Sequence, residues 1–304
     1  MTSMRDIKRR KGSIESTQQI TKAMKLVSTV KLQKTRERAE ETNPYFSYMY
    51  RTVNAMLARS ANIEHPYLTA GNAKKGIVLI TANRGLAGGY NTNLVRLVTE
   101  DSTEKENILL YTIGTKGRDA LEHLGYPVQY DVSEMLDAPV YADAAELCRR
   151  LLDDFLSGEI GVIDLIYTHF KNTVVQEPVR LRLLPVDCAQ FRKEENMKTE
   201  TEAPEFLDGR TRQTEDDRTL MNYEPDEEEA VEKIIPLYLS SLIYGALMDA
   251  AASENAARMQ AMDAATGNAE EMIEALTLQF NRARQSSITQ ELTEIIAGAQ
   301  ESLE

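Results

Sequence analysis

A glycine-rich segment at residues 81–91 (TANRGLAGGYN) has the residue types that could bind a phosphate group. It lies between an aliphatic run and a segment of helical character, and the free backbone amides of such a turn can hold an anion. It lacks the GxGxxG spacing of a dinucleotide site and the GK[ST] ending of a phosphate-binding loop. A tight strand-to-helix turn is the favoured interpretation, and a phosphate cofactor bound by residues 84–91 stays open as an alternative.

Other reactive side chains are scattered along the chain. His65, His123 and His169 have no ligand or base–nucleophile spacing, and Cys148 and Cys188 form no CxxC pair. No nucleophile-elbow or paired-carboxylate motif is present. We therefore predict no catalytic residue, no metal ion and no cofactor, and the two isolated cysteines fit a reducing cytoplasm.

Charge is separated along the sequence. The formal net charge is −13 with a pI near 4.9, which argues against a nucleic-acid-binding protein. Residues 1–38 carry eleven Lys and Arg against three acids, whereas residues 191–229 carry fourteen acids against six bases. This asymmetry favours charged protein partners. No run approaches 18 apolar residues and the N-terminus has no apolar signal-peptide core, so we expect neither membrane insertion nor secretion. The basic start also fits a mitochondrial transit peptide, but its helical pattern continues past the length of a leader.

Both ends of the chain are predicted to be long helices. Residues 1–57 have no glycine after Gly12 and one proline, Pro44, where a kink is expected. Residues 223–304 are rich in alanine and form the second helix. Steps of three and four predict a coiled-coil seam on each helix. Its members are Ile14, Thr17, Thr21, Met24 and Ser28 on the first helix, and Ile273, Leu276, Phe280, Ala283 and Ser287 on the second.

The middle of the chain, residues 74–190, alternates short aliphatic runs with helical stretches, which predicts an α/β domain of Rossmann-like type. Strands are predicted near 76–82, 107–113, 127–130, 161–170 and 174–185, and helices near 89–103, 116–124 and 143–156. Residues 191–222 are polar and acidic and predict an exposed loop or insertion. The fold prediction is thus an α/β domain flanked by an antiparallel two-helix coiled coil built from the two termini.

Three motifs in this order resemble the gamma subunits of bacterial F-type ATP synthases. The first is residues 4–10 (MRDIKRR) with 17–25 (TQQITKAMK), and the second is the glycine turn RGLAGGYN. The third joins residues 252–259 (ASENAARM), 262–266, 281–285 (NRARQ) and 287–295 (SITQELTEI). The motifs spread over essentially the whole chain. Asn83 departs from the family pattern, in which many relatives carry aspartate before Arg-Gly-Leu.

The resemblance implies a non-catalytic rotor shaft on the cytoplasmic face of the bacterial membrane. Its implied partners are the alpha and beta subunits, the epsilon subunit and the membrane c-ring. By matching positions, it assigns contacts with the alpha–beta hexamer to Met24, Lys25, Arg258, Arg284, Gln285, Thr289, Glu291 and Glu294. It assigns contacts with the ring to Tyr223 and Glu224. Two alternatives remain from the sequence: a small nucleotide-binding α/β enzyme with helical arms, and a generic coiled-coil scaffold.

Overall fold

The computed structural model describes residues 4–59, 65–71, 73–136, 139–186 and 226–301. The chain divides into two compact units, Met1–Thr29 with Arg258–Glu304, and Val30–Ala257. Two long helices contribute to both units: α1 (Met4–Arg59) and α5 (Glu227–Glu301). Helix α1 continues through Pro44, because a proline removes only one helical hydrogen bond when neighbouring turns hold the backbone. The predicted long terminal helices are confirmed.

The larger unit contains a five-stranded mixed sheet. Its strands, in chain order, are β1 (Lys74–Ile80), β2 (Ile108–Ile113), β3 (Val128–Asp131), β4 (Ile160–Phe170) and β5 (Gln176–Leu184). The spatial order is β3-β2-β1-β4-β5, with β5 antiparallel to β4 and the other neighbours parallel. The crossover helices are α2 (Tyr90–Thr99), α3 (Thr115–His123) and α4 (Tyr141–Leu156). Every strand and helix predicted for this domain is present.

Helices cover both faces of this sheet, which explains why β1 and β2 are almost wholly apolar. One core joins the sheet to α4 and the first half of α5, with Tyr111, Leu147 and Ile243 among its buried members. The other core joins the opposite face to α2 and α3, with Leu79 and Leu94 fully buried. An 18-residue window of α5 has a mean hydropathy of 1.5, long and apolar enough to cross a membrane, yet 83% of it is buried inside the fold. Burial on all sides of a core helix accounts for this hydropathy.

A buried network of charges fastens β5 and the end of α2 to the sheet. The Lys75 Nζ atom lies 2.6 Å from Asp101 Oδ2 and 3.0 Å from Asp164 Oδ2. Arg180 Nη1 donates to the same Asp101 oxygen at 2.6 Å, and Arg182 pairs with Asp164. Both carboxylates are 2% exposed, so their pairing offsets the cost of removing charge from water.

The predicted boundaries between shaft, α/β domain and acidic stretch stay predictions. The units found here are divided within the helices, after Thr29 and after Ala257. The acidic stretch at 191–222 lies outside the described residues.

Candidate functional site

The smaller unit is an antiparallel pair formed by the start of α1 and the second half of α5. Residues of increasing number along α1 contact residues of decreasing number along α5: Gln18 with Glu270, Thr21 with Thr266, and Lys25 with Asp263. This pairing confirms the predicted antiparallel arrangement of the two terminal helices.

The centre of this pair is polar. The Thr21 and Thr266 hydroxyl oxygens are 2.7 Å apart and both residues are 7% exposed. Each hydroxyl also lies within hydrogen-bond distance of a carbonyl of its own helix, that of Gln18 for Thr21 and that of Met262 for Thr266. A buried polar pair of this kind fixes the register of the two helices. It contributes less free energy to their association than two packed leucines would.

Charged groups fix the rim of the helix pair. Lys25 Nζ lies 2.6 Å from Asp263 Oδ1, and Lys22 Nζ lies 3.0 Å from Glu270 Oε1. The Gln18 amide donates to the same Glu270 oxygen at 2.9 Å. These pairs are largely exposed, so each contributes only about 0–1 kcal/mol and serves mainly to align the helices. The basic segment of α1 therefore has an acidic counterpart on α5 itself.

Most of the predicted seam is found, with one correction. Thr21 and Ser28 are buried, Ile14 and Met24 are half-buried, and all five predicted positions on α5 are half-buried. Thr17 is wrong: it is exposed, and its hydroxyl donates to the Ser13 carbonyl. Gln18 takes the seam position instead. It follows Ile14 by four residues, which is closer to the 3.6-residue period of the helix than the step of three to Thr17.

Large apolar side chains lie exposed along this unit. On α1 they are Ile20, Leu26 and Val27, and on α5 they are Met272, Leu278, Ile288, Leu292, Ile295 and Ile296, each at least 49% exposed. In the antiparallel register, Met4 lies opposite the region of Ala283, so α5 beyond it has no described α1 segment to pair with. Apolar side chains repeated along a bare helix surface indicate a protein-binding face.

The residues assigned to the hexamer lie on this unit. Lys25 pairs with Asp263, while Met24 and Arg258 are half-buried. The remaining side chains with described positions are exposed on α5: Arg284, Gln285, Thr289 and Glu291. The Thr289 hydroxyl donates to the Gln285 carbonyl at 2.9 Å. Glu294 belongs to α5, but its side chain lies outside the described part, as do Tyr223 and Glu224 altogether.

The glycine turn uses its own polar groups to fasten the start of α3. The Asn83 carboxamide accepts from Thr115 N at 3.1 Å and donates to the Ser133 carbonyl at 2.8 Å. The Thr81 hydroxyl accepts from Gly117 N at 2.9 Å. Gly114 has a φ of 111°, and a Cβ there would lie 2.0 Å from the Thr81 carbonyl oxygen, so the close approach requires glycine. Within the turn itself, Ala82 N donates to Asn91 Oδ1 at 2.9 Å and Tyr90 N donates to the Ala87 carbonyl at 3.2 Å, which supports the structural interpretation of this turn.

The carboxyl ends of β1 and β4, where doubly wound sheets usually bind ligands, are joined here to α5. The Tyr90 hydroxyl, at the start of α2, donates to the Ala250 carbonyl at 3.2 Å. The Ser253 hydroxyl donates to the Thr168 carbonyl at 3.1 Å, and His169 Nδ1 lies 2.6 Å from Asp249 Oδ2. Sequence reasoning missed the His169–Asp249 pair, since 80 residues separate its members and no local pattern connects them.

Comparison with known proteins agrees with this architecture. Residues 3–301 match the family model described as ATP synthase. An ATP synthase gamma chain from Lachnoclostridium phytofermentans is 58% identical over 98% of this chain and 99% of its own length. The sodium ion specific gamma chain of Acetobacterium woodii is 39% identical over 98% of each chain.

Solved structures share the fold. A chain of the Euglena gracilis mitochondrial ATP synthase (OSCP/F1/c-ring, rotational state 3) has a TM-score of 0.68 and 21% identity, covering 98% of this chain and 93% of that one. A chain of the Tetrahymena thermophila mitochondrial ATP synthase central stalk and c-ring has a TM-score of 0.55 and 25% identity, covering 81% and 99%. Helix pair and mixed sheet together define a central-stalk protein. The chain belongs to the gamma chains of the ATP synthase family.

Proposed function

We propose that this chain is the central rotor shaft of an F-type ATP synthase, carrying ion-driven rotation of a membrane ring to a catalytic alpha–beta hexamer. The observation that carries the proposal is the 58% identity to a gamma chain over 98% of this chain. The chain itself performs no bond-making step in this proposal. It is a non-catalytic subunit, and the role of Asn83 and Thr81 in holding the start of α3 supports a structural rather than a catalytic glycine turn.

Energetics explain why such an enzyme needs a shaft. One elementary charge crossing a membrane yields about 2.3 kcal/mol per 100 mV, so several crossings must be pooled for each ATP. A continuous helix such as α5 can store and deliver that energy as torque, because hydrogen bonds between successive turns run along its length. Contacts that differ between the three catalytic subunits then shift each one among open, loose and closed populations.

The helix pair has the surface that turning requires. Its exposed apolar side chains, such as Leu278 and Leu292, provide contact area for the surrounding hexamer. Its exposed polar residues Arg284, Gln285, Thr289 and Glu291 provide the angle-dependent contacts, and we assign Glu294 to the same set. Met24 and Lys25 lie further along the pair and are proposed to face the moving levers of the beta subunits, whereas Arg258 is proposed to contact the loops of the hexamer. The partly polar seam and rim limit adhesion, so no single angle becomes too stable to leave.

The opposite end of the shaft is proposed to bind the membrane ring. Tyr223 and Glu224 precede α5 and are proposed to contact the c-ring, and the epsilon subunit is proposed as a further partner of the chain. The chain would then lie at the cytoplasmic face of the bacterial membrane as a peripheral component. The ion is proposed to be a proton or a sodium ion, since its ligands belong to the ring.

Reconstitution tests this proposal directly. The chain is mixed with separately expressed alpha and beta subunits of its own complex, and assembly, ATP hydrolysis and rotation of an attached probe are measured. Stepwise rotation driven by ATP is expected. A chain that never enters the hexamer, or that enters without rotating during hydrolysis, would overturn the assignment. An unrelated antiparallel coiled coil of similar length is the control, since a generic scaffold would give neither result.

A further inference from the structure

Polar contacts between α5 and the sheet are concentrated in one short stretch of the helix. The Asp249 carboxylate is hydrogen-bonded to His169 Nδ1. The Ala250 carbonyl accepts from the Tyr90 hydroxyl, and the Ser253 hydroxyl donates to the Thr168 carbonyl. These three links are called the α5 clamp below. All its residues belong to the larger unit, and those on α5 lie just before Ala257, where α5 leaves that unit.

The clamp lies in an alanine-rich stretch of α5, in which Leu247 and Met248 are the large buried apolar side chains. Around it, α5 consists largely of alanines: Ala246, Ala250, Ala251, Ala252, Ala256 and Ala257. Most of them are buried, yet each offers a single methyl group to the sheet. Apolar contact is non-directional, so a smooth alanine surface resists rotation of the helix about its axis only weakly. Hydrogen bonds depend steeply on distance and angle and therefore do resist it.

Burial makes these links stiff. His169 is 7% exposed and Asp249 8% exposed, and the short bond of 2.6 Å between them involves an ionisable carboxylate. Hydrogen bonds to charged groups are shorter and roughly twice as strong as neutral ones. The buried Asp249 also helps to raise the pKa of the Tyr167 hydroxyl, after burial itself, so the carboxylate acts in a weakly screened environment.

We propose that the α5 clamp is a torque-bearing joint, in which His169–Asp249, Tyr90–Ala250 and Ser253–Thr168 prevent α5 from turning against the sheet. The inference rests on the proposed function, because only a rotor loads this joint. The α/β domain receives torque and α5 passes it on, so all of the torque carried by α5 must cross the contacts between them. His169 and Tyr90 act as positioning residues for α5.

Rotation of single assembled complexes measures this stiffness. The hexamer is fixed to a surface and a probe is attached to the α/β domain through Val174→Cys, since Val174 is 74% exposed. Cys148 is unsuitable because it is buried and burial raises the pKa of its thiol to about 11. Cys188→Ser removes the other thiol. The angular variance of the probe during the pause before ATP binds reports the compliance between hexamer and domain.

Two matched comparisons test the clamp. Tyr90→Phe removes a buried hydroxyl bonded to α5, whereas Tyr111→Phe removes a buried hydroxyl bonded to Asp154 of α4. His169→Ala removes the charge-assisted link, whereas His169→Asn keeps a donor near the position of Nδ1. If three links share the load equally, losing one raises the joint's share of the variance about 1.5-fold, as springs in parallel would, and the total variance rises by less because the shaft adds its own compliance in series. The rise is expected in Tyr90→Phe and His169→Ala and absent in Tyr111→Phe, with His169→Asn restored toward the parent value.

The outcomes separate the two proposals. Assembled complexes whose variance stays at the parent value in both Tyr90→Phe and His169→Ala would overturn the clamp and leave the rotor intact. An equal rise in Tyr111→Phe would also overturn it, because that result reflects general loosening of the domain. If His169→Ala fails to assemble, Tyr90→Phe still decides. Failure of the parent chain to assemble would contradict the proposed function instead.

Discussion

Thr21 and Thr266 join the two helices of the shaft through a buried contact of 2.7 Å between their hydroxyl oxygens. Each hydroxyl has a second neighbour, a carbonyl of its own helix. Removing one threonine therefore leaves the other with a partner. The pair contributes register more than adhesion, and this property can be measured by a double-mutant cycle.

Thr21→Val and Thr266→Val are expected to destabilise the isolated chain by about 1 kcal/mol each, because each loses one net hydrogen bond. The double variant is expected to cost less than the sum, since either single change already removes the contact between the two hydroxyls and that contact can be lost only once. Thermal unfolding followed by helical circular dichroism measures the three values. Fully additive costs would show that the two hydroxyls do not interact.

Exposed apolar residues at the end of α5 give a second prediction. Leu292→Ser with Ile296→Ser should leave the isolated chain as stable as the parent, because these side chains are 54% and 62% exposed. If the hexamer buries them, each lost side chain weakens binding by about 1.5–3 kcal/mol, roughly tenfold or more in affinity. Titration of the chain into alpha and beta subunits measures this. Unchanged assembly would mean that the hexamer contacts another part of the shaft.

Arg284→Ala with Gln285→Ala should reduce coupled activity without loss of helicity. Both side chains are exposed on α5, so the isolated chain loses no internal packing. In the hexamer, truncated polar contacts of this kind cost about 2–5 kcal/mol when the partner groups are left buried. Rotation-coupled ATP hydrolysis is the measurement, and Arg149→Ala on the exposed side of α4 is the control. Equal activity in the double variant and the parent would remove these residues from the proposed contact set.

Much of this architecture was predictable because its causes are local. The β-branched runs around Val78 and Ile166 and the glycine-poor helices at the two ends of the chain follow from periodicity and propensity. The sequence also placed most of the seam correctly, including its buried positions Thr21 and Ser28. It failed at Thr17 because small polar residues give no hydrophobic signal to decide between steps of three and four. The His169–Asp249 pair could not be predicted from the sequence, because it depends on which face of α5 packs against the sheet.

Asn83 provides a test of the glycine turn. Its carboxamide accepts from Thr115 N and donates to the Ser133 carbonyl, and an aspartate could only accept. Asn83→Asp is therefore expected to destabilise the chain by about 1–3 kcal/mol, the cost of an unsatisfied buried acceptor. Asn172→Asp is the matched control, because the described bonds of the Asn172 side chain are accepted by Oδ1, from Val174 N and Val175 N. Equal unfolding midpoints for the two variants would contradict this account.

Asp101 predicts how the larger unit responds to acid. Burial raises the pKa of its carboxyl group, but hydrogen bonds from Lys75 and Thr103 lower it more, so the net pKa lies well below the ordinary value of 3.8. A carboxyl group with a depressed folded-state pKa stabilises the fold above its ordinary pKa, and that stability is lost as the pH falls below it. Asp101→Asn should therefore lower the urea midpoint at pH 7 and flatten its decline below about pH 4.

The control for this acid response is Asp153→Asn, which changes an exposed aspartate of α4. It should leave both the midpoint at neutral pH and the acid decline close to those of the parent chain, because an exposed charge contributes little. In Asp101→Asn, Lys75 keeps Asp164 as a partner and Arg180 keeps the Leu97 carbonyl, so the unit still folds. An acid decline as steep in Asp101→Asn as in the parent would assign the response to other carboxylates.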